Sequence, residues 1–288
     1  MARVLITGCG SGFGKVSALE LARRGHQVFA GCRTAAAAEQ LGAATTSLDT
    51  LTTLPLDVTD LPAIDRAIAQ LMEVAGGVDV LVNNAGVARV GTLEDLDTEA
   101  LRQIMETNFF GALWVTRAVL PAMRAQGAGR IIMVSSLSAL VGLPGEGIYA
   151  ASKAALEAAA ESLRYEVDRF GIKICVIEPG AFDTAMPARI AASDLGPADS
   201  AYRALTSHLL ARAQRNLGAG DDPQRVAELI ADIAETDEPR FRYPAGRQAE
   251  QVVERLRGLS ETQRAEFIRE VNDTQWWSAG AHGPTGSV

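Results

Sequence analysis

Short apolar segments that alternate with longer helical segments restrict the fold of this chain more than any other feature. The short segments are rich in β-branched and aliphatic residues, whereas Ala, Leu, Glu and Arg dominate between them and favour helix. This alternation predicts βαβ units and a parallel sheet. The predicted strands are residues 4–7, 27–30, 53–56, 79–82, 130–134 and 173–177.

The predicted sheet has helices on both faces. Its strands are apolar along nearly their whole length rather than alternately polar, which is typical of strands covered on two sides. Apolar periodicity predicts helices over residues 14–24, 60–75, 98–125 and 150–170, and residues 240–243 form a last predicted strand. The sequence therefore predicts a doubly wound (Rossmann) α/β fold with about seven parallel strands.

The 288 residues fit one large domain with small additions. Residues 1–183 form the predicted core, and Pro and Gly punctuate residues 184–222, which we interpret as a helical flap. Residues 223–275 are predicted to form the last strand and C-terminal helices, and residues 276–288 a tail. The apolar side chains expected at the flap are Phe182, Met186, Ile190, Leu195, Leu205 and Leu209. The lone His208 there is interpreted as structural.

Composition argues against several classes of partner. A net charge of -8 and a pI of about 5.0 disfavour nucleic acid and anionic membranes, which require a basic surface. We find no signal peptide and no apolar run of about 18 residues, the length of a spanning helix, so we expect a cytoplasmic protein. Cys9, Cys32 and Cys175 are far apart and form no CxxC pair, so neither a disulfide framework nor a metal site is predicted.

A glycine-rich segment follows the first predicted strand. Residues 7–14 read Thr-Gly-Cys-Gly-Ser-Gly-Phe-Gly and precede a helix, an arrangement that seats a phosphate on a helix N-terminus. The spacing, Gly8-xxx-Gly12-x-Gly14, differs from the GxGxxG pattern of dinucleotide-binding folds. The alternative is a tight loop with a purely structural role.

Tyr149 and Lys153 are four residues apart in a predicted helix and therefore share one face. At ~5 Å and an effective dielectric constant of ~20, a lysine ammonium would favour the phenolate by roughly 3 kcal/mol, about two pKa units. We therefore expect the pKa of Tyr149 to be lowered towards neutrality, where a general acid or base works best. The alternative is an ordinary surface pair.

Together with residues 83–86 (Asn-Asn-Ala-Gly), Asn108, Ser136 and Pro179-Gly180, these motifs resemble the short-chain dehydrogenase/reductase family over residues 3–184. The resemblance implies that Tyr149 transfers the proton and Ser136 hydrogen-bonds the reacting oxygen. It further implies that Lys153 lowers the tyrosine pKa and holds the nicotinamide ribose, and that Asn108 anchors a proton-relaying water.

Hydride transfer to a carbonyl builds negative charge on its oxygen, which requires hydrogen-bond donors aimed at that atom. The hydroxyls of Ser136 and Tyr149 are such donors. The family spacing favours Ser136 over Ser135 and Ser138, which fit ordinary turn hydroxyls. For Asn108, a polar residue that merely interrupts a helix is an equal alternative.

The end of the second strand bears on the cofactor. Cys32 stands where an NAD-selective site commonly has a carboxylate, and Arg33 follows it. A guanidinium can pair with a 2′-phosphate, so NADP is favoured over NAD, although Arg33 could be an ordinary exposed arginine.

The resemblance implies further cofactor contacts. It makes Asp57 a partner of the adenine amino group, with helix capping as the alternative, and it lets Thr184 bond the carboxamide. The predicted cofactor-binding residues are Gly8, Ser11, Gly12, Phe13, Gly14, Arg33, Asp57, Val58, Asn84, Ala85, Gly86, Tyr149, Lys153, Pro179, Gly180 and Thr184.

The sequence thus predicts an NADP-dependent enzyme that interconverts a secondary alcohol and a ketone. The apolar flap, and residues 178–184 that resemble members acting on steroids and retinoids, favour a bulky or apolar steroid-like, aryl or alkyl substrate. The alternatives are a non-catalytic NAD(P)-binding sensor or an NAD-preferring alcohol dehydrogenase; a sugar-nucleotide epimerase would need a larger C-terminal domain. We expect a homodimer or homotetramer that pairs through the helices near residues 98–125 and 150–170.

Overall fold

The computed structural model describes residues 1–45, 48–281 and 283. Seven parallel strands form one sheet in the order β3-β2-β1-β4-β5-β6-β7. The strands are β1 Arg3–Ile6, β2 Gln27–Cys32, β3 Leu51–Pro55, β4 Val80–Asn83, β5 Gly129–Val134, β6 Ile172–Pro179 and β7 Arg242–Ala245. The predicted parallel sheet of about seven strands is confirmed.

The α-helices connect the strands and cover the sheet. Their bounds are α1 Gly12–Arg23, α2 Ala35–Ala44, α3 Leu61–Ala75, α4 Thr98–Met105, α5 Gly111–Gln126, α6 Gly147–Val167, α7 Ala185–Ala191, α8 Arg203–Arg215, α9 Gln224–Glu235, α10 Arg247–Leu256, α11 Glu261–Asn272 and α12 Gln275–Ser278.

Alternate residues of each central strand pack against opposite layers of helices. Val4 and Ile6 of β1 belong to one buried cluster, which includes apolar residues of α1, α2 and α9. Leu5, between them, belongs to a second cluster with residues of α3, α5 and α6. Both clusters exclude water, which explains why the strands are apolar throughout. The doubly wound architecture is confirmed.

The helix predicted over residues 98–125 is present as α4 and α5, which a π-helical turn at Glu106–Phe110 joins. The turn carries Asn108, whose side chain hydrogen-bonds Val87 and Ser152. Single-turn π-helices often occur at functional sites. Helix α2 was not predicted: its Ala-rich sequence lacks apolar periodicity, and Thr34 caps it by accepting a bond from Ala37 N.

The C-terminal helices close one side of the sheet's carboxyl edge. Ala249 of α10 is fully buried against Leu137 and Val141, which follow β5. Arg264 of α11 donates a hydrogen bond of 2.7 Å to Leu140 O in the same segment. These contacts fix the loop after β5, which carries Ser136.

Within residues 1–45, 48–281 and 283, no helix combines the length and the apolar character that crossing a membrane requires.

Candidate functional site

A cleft of about 660 Å³ opens at the carboxyl edge of the sheet. This is the edge at which open α/β sheets bind ligands. The predicted site residues that line it are Gly8, Ser11, Gly12, Phe13, Arg33, Asp57, Val58, Asn84, Ala85, Gly86, Ser136, Tyr149, Lys153, Pro179, Gly180 and Thr184. Gly14 and Asn108 lie behind the lining and support it. The fold therefore brings together motifs that are far apart in the sequence.

The glycine loop (residues 8–14) packs directly against the turn after β4. A Cβ on Gly14 would lie 2.5 Å from Asn84 Nδ2 and 2.5 Å from Gly8 O. Gly8 adopts φ of +75°, and a Cβ there would approach Ala85 Cα to 2.8 Å. Asn84 Nδ2 in turn donates to Thr7 O at 2.8 Å. Side chains at these glycines would separate the two loops, so the glycines shape the cleft and leave the first turn of α1 facing it.

The hydroxyl and amine groups of the predicted tetrad meet at the floor of the cleft. The Ser136 hydroxyl lies close enough to the phenol of Tyr149 to lower its pKa. Lys153 Nζ lies 5.9 Å from the Tyr149 ring centroid and donates to Val134 O at 2.8 Å. The side chains of Tyr149 and Lys153 follow one face of α6, as the spacing predicted.

The neighbouring serines have other partners. Ser135 Oγ donates to Glu157 Oε1 at 2.6 Å. Ser138 Oγ donates to Glu146 Oε2 at 3.0 Å, and its backbone N–H donates to Ser136 Oγ at 3.1 Å. Ser136 is therefore the serine next to the phenol, and Ser138 N fixes its hydroxyl.

The expected lowering of the Tyr149 pKa is wrong for this structure. Burial raises the pKa of Tyr149 to about 12; the Ser136 hydroxyl opposes this rise and the charge of Glu146 adds to it. Burial also lowers the pKa of Lys153 to about 8, with the charge of Glu157 acting in the opposite direction. Desolvation is the largest cause of both shifts: Lys153 is buried, and Tyr149, although partly exposed at the cleft, is surrounded largely by protein. At pH 7 the phenol is neutral and most Lys153 side chains are charged.

Asn108 supports the loop after β4. Its Oδ1 accepts a bond from Val87 N at 2.8 Å, and its Nδ2 donates to Val87 O at 2.9 Å and to Ser152 Oγ at 3.0 Å. A Cβ on Gly86 would lie 3.4 Å from Asn108 Oδ1 and 3.6 Å from Lys153 Nζ. Asn108 thus lies beside Lys153, and its role as a water anchor stays a prediction.

The end of the cleft beside β2 and β3 has the side chains that the sequence predicts there. Arg33 is exposed at the end of β2 and lines the cleft, whereas the preceding Cys32 is fully buried in the core. Asp57 Oδ1 accepts bonds from Thr59 N at 2.9 Å and from Thr59 Oγ1 at 2.8 Å. Asp57 therefore stabilises the turn before α3 but does not cap that helix, whose N-cap is Asp60, and it also lines the cleft.

The flap residues divide into two groups. Phe182, Met186, Ile190 and Leu209 line the cleft, although Phe182 is almost buried and packs edge-on against Phe13 at 5.1 Å. The expectation that Leu195 and Leu205 also line it is wrong, because both pack within the flap against a small apolar cluster that includes Trp277.

His208 also packs inside the flap, as interpreted from the sequence. Its Nε2 lies 3.2 Å from Asn272 O, and its ring contacts Trp276 edge-on at 5.7 Å. These contacts attach the C-terminal segment to the flap.

Among the described residues, the sequence analysis missed five charged residues that line the cleft: Arg89, Glu146, Asp183, Arg189 and Arg212. Burial raises the pKa of Glu146, which lies three residues before Tyr149 at the start of α6. Arg212 Nη1 donates to Asn272 Oδ1 at 2.9 Å. The position of Glu146 could have been found from its spacing to Tyr149, but no local signal marks the arginines.

No cluster of three or more His, Cys, Asp or Glu side chains suited to a metal ion occurs in the described part of the chain.

A family model described as short chain dehydrogenase matches residues 2–194. An uncharacterised oxidoreductase of Bacillus subtilis, YusZ, is 41% identical over 249 residues, which are 84% of this chain and 88% of that protein. A 3-ketodihydrosphingosine reductase of Bacteroides thetaiotaomicron is 36% identical over 84% of this chain and 87% of its own length. Human retinol dehydrogenase 8 is 37% identical over 83% of this chain and 79% of its own length.

Solved structures show the same architecture. A short-chain dehydrogenase from Streptomyces avermitilis superposes with a TM-score of 0.77 and 33% identity, over 97% of this chain and 98% of that one. A short-chain dehydrogenase from Burkholderia cenocepacia, in complex with NADP, gives 0.73 and 25% identity over 92% and 96%.

Proposed function

The chain belongs to the short-chain dehydrogenase/reductase family, and from that premise we propose that it is an NADP-dependent enzyme interconverting a secondary alcohol and a ketone. The observation that carries the proposal is the meeting of the Ser136 and Tyr149 hydroxyls with Lys153 on the floor of a cleft that the glycine loop borders. This arrangement provides two hydrogen-bond donors for one oxygen and a nearby cation.

The residues present fit a dinucleotide. The glycine loop leaves room where Cβ atoms would collide with the turn after β4, so backbone can approach a pyrophosphate closely. Arg33 is available for a 2′-phosphate, and Asp57 and Val58 for adenine. Asn84, Ala85 and Gly86 would lie along the cofactor, and Pro179, Gly180 and Thr184 beside the nicotinamide. The NADP-bound relative from Burkholderia cenocepacia supports this choice.

When bound, the nicotinamide supplies hydride to the carbonyl carbon or accepts it from the alcohol. Tyr149 holds its proton at pH 7, because its pKa lies near 12, and so acts as the acid that protonates the carbonyl oxygen during reduction. Ser136 donates a second hydrogen bond to that oxygen, and Ser138 N keeps the Ser136 hydroxyl in place. Lys153 orients the ribose and adds positive charge beside the phenol, which lowers the cost of the phenolate when the proton leaves.

We propose an apolar or bulky carbonyl substrate. Met186, Ile190 and Leu209 of the flap, with Val90 and Leu143 from the opposite side, give this end of the cleft an apolar lining. The relatives named for a long-chain keto-sphingoid base and for retinol support a lipid-like class. A steroid-like, aryl or alkyl ketone fits the same lining.

We also propose that the chain assembles into a homodimer or homotetramer through α5 and α6. Trp114 and Phe110 of this region are partly exposed and stack at 6.0 Å, and Tyr165 of α6 is 70% exposed. An exposed aromatic surface of this kind favours association.

The test is a titration with NADPH and NADH followed by turnover of a panel of apolar ketones, monitored by loss of reduced-nicotinamide absorbance. Tyr149→Phe should lose turnover by at least ~100-fold while it still binds NADPH, because only the acid is removed. The control is Tyr165→Phe, in the same helix but exposed, which should retain turnover.

Full turnover by Tyr149→Phe would contradict the mechanism. Preference for NADH would contradict the role of Arg33, and cofactor binding by the wild type without turnover of any ketone would favour the sensor alternative.

A further inference from the structure

The flap places one arginine against the glycine loop. Arg189 of α7 lines the cleft, and its Nη2 lies 3.5 Å from Ser11 Oγ. The two residues are separated by 178 positions in the sequence, so only the folded flap brings them together. Ser11 is the N-cap of α1, and its side chain makes no capping bond to that helix. Both side chains therefore face the space above the first turn of α1.

The base of the flap is fixed to the same loop. Phe182 packs edge-on against Phe13, and a Cβ on Gly12 would lie only 3.7 Å from Thr184 Cβ. Thr184 caps α7 by accepting a bond from Met186 N at 3.3 Å. Helix α7 thus starts at the glycine loop, and Arg189, one turn further, is held above it.

Arg189 differs from the arginines that stabilise the fold. Arg3 and Arg242, for example, form ion pairs of 2.5 Å with Asp79 and 2.7 Å with Glu157. Among the described residues, no carboxylate lies within ion-pair distance of Arg189, and its side chain is exposed at the cleft. Residues 8–14 themselves contain no Lys or Arg. A pyrophosphate on this loop would therefore meet Arg189 as its adjacent cation.

We propose that Arg189 is a second phosphate-binding cation, which pairs with the pyrophosphate of the bound dinucleotide and so links the flap to cofactor binding. This inference rests on the proposed function and extends it to a residue of the flap. Arg33, at the end of β2, serves the 2′-phosphate, a group that NADPH has and NADH lacks. Arg189 serves the pyrophosphate, which both cofactors share. The two arginines therefore have separable effects.

The experiment measures dissociation constants of NADPH and NADH by nicotinamide fluorescence for the wild type, Arg189→Gln, Arg33→Gln and Arg215→Gln. Arg215 is the matched control, because it is an exposed arginine of the flap helix α8 outside the cleft lining. We expect Arg189→Gln to weaken both cofactors by a similar factor of about ten, equivalent to ~1.4 kcal/mol. Added salt should reduce this factor, because the site is open to solvent. Arg33→Gln should weaken NADPH alone.

A second measurement is hydrogen exchange of residues 185–191 with and without NADPH. Cofactor should protect this segment in the wild type and in Arg215→Gln, and much less in Arg189→Gln. This readout does not depend on turnover.

Each outcome decides between the proposals. If Arg189→Gln binds both cofactors as Arg215→Gln does, the role of Arg189 is refuted and the proposed function stands. If Arg189→Gln weakens NADPH alone, the arginine serves the 2′-phosphate and the pyrophosphate assignment is refuted. If the wild type binds neither cofactor, the proposed function fails, and the role of Arg189 fails with it.

Discussion

We expect Lys153 to destabilise the folded protein, although it belongs to the candidate functional site. Its side chain is 4% exposed, and burial lowers the pKa of its ammonium from 10.5 to about 8. A difference of this size corresponds to about 3 kcal/mol of unfolding free energy lost at pH 7, where the lysine is charged in both states. Replacement by Met removes the charge and keeps most of the volume.

Lys153→Met gains stability by removing the buried charge, but the loss of the hydrogen bond that the ammonium makes offsets part of this gain. Lys153 Nζ donates to Val134 O at 2.8 Å, and the loss of this donor should cost about 1 kcal/mol. We therefore expect Lys153→Met to raise the free energy of unfolding by about 2 kcal/mol at pH 7, while turnover is lost. The lysine would then be explained by function rather than by stability.

The pH dependence of this stability difference tests whether the buried charge of Lys153 is its cause. Because the pKa is lowered on folding, the folded protein releases the Lys153 proton near pH 8, whereas the unfolded chain keeps it up to about pH 10.5. Between these values the unfolded state binds more protons, so the wild type becomes more stable relative to the Met variant as pH rises. At pH 9.5 the penalty of the buried charge falls to about 1 kcal/mol, and the advantage of Lys153→Met should almost disappear.

The assay is equilibrium unfolding in urea at pH 7 and pH 9.5, at one protein concentration, followed by tryptophan fluorescence and circular dichroism. Lys173→Met is the control, because the Lys173 side chain is 49% exposed and, among the described residues, pairs with the exposed Asp168 alone. We expect this control to change stability by no more than about 0.5 kcal/mol at either pH. The reasoning would be refuted if Lys153→Met were less stable than the wild type at pH 7. It would also be refuted if the stability advantage of Lys153→Met were the same at pH 7 and pH 9.5.

Two further predictions concern the cofactor loop and the assembly. Gly14→Ala should weaken NADPH binding at least tenfold in a fluorescence titration, because the new methyl group would lie 2.5 Å from Gly8 O. The control is Gly142→Ala, which should bind NADPH like the wild type because no atom lies within 4 Å of its Cβ. Light scattering coupled to size-exclusion chromatography should give the mass of a dimer or tetramer, and Trp114→Glu, which places a charge on the partly exposed aromatic surface, should shift it towards the monomer. A monomeric wild type would exclude the proposed assembly.

The strands and the positions of the site loops could be predicted because both depend on local sequence. In a parallel sheet all strands end at the same edge, so residues that follow β1, β2, β4, β5 and β6 must meet there. The glycine loop, Arg33, Asn84 and Ser136 all follow predicted strand ends in the sequence. Their convergence follows from topology and does not require knowledge of side-chain packing.

The properties that depend on burial could not be predicted from spacing. The four-residue interval between Tyr149 and Lys153 correctly predicts a shared helical face, but it does not reveal how far the surrounding protein desolvates the two groups. Desolvation is the largest cause of the raised pKa of the phenol and of the lowered pKa of the amine. The π-helical turn escaped prediction for a related reason, because the bonds of Asn108 to Val87 join segments 21 residues apart.

The cleft carries positive charge, although the chain as a whole is negatively charged. The whole sequence has a net charge of -8, yet five cationic and three acidic side chains line the cleft. Two of these cations, Lys153 and Arg212, are held by neutral oxygens, those of Val134 and Asn272, which fix their positions without cancelling their charge. An acidic surface repels anions in general, whereas a locally positive cleft attracts those that fit it. The acidic composition disfavours nucleic acid as a partner. The local excess of positive charge at the cleft nevertheless favours a small, multiply charged anion such as a dinucleotide at this one edge of the sheet.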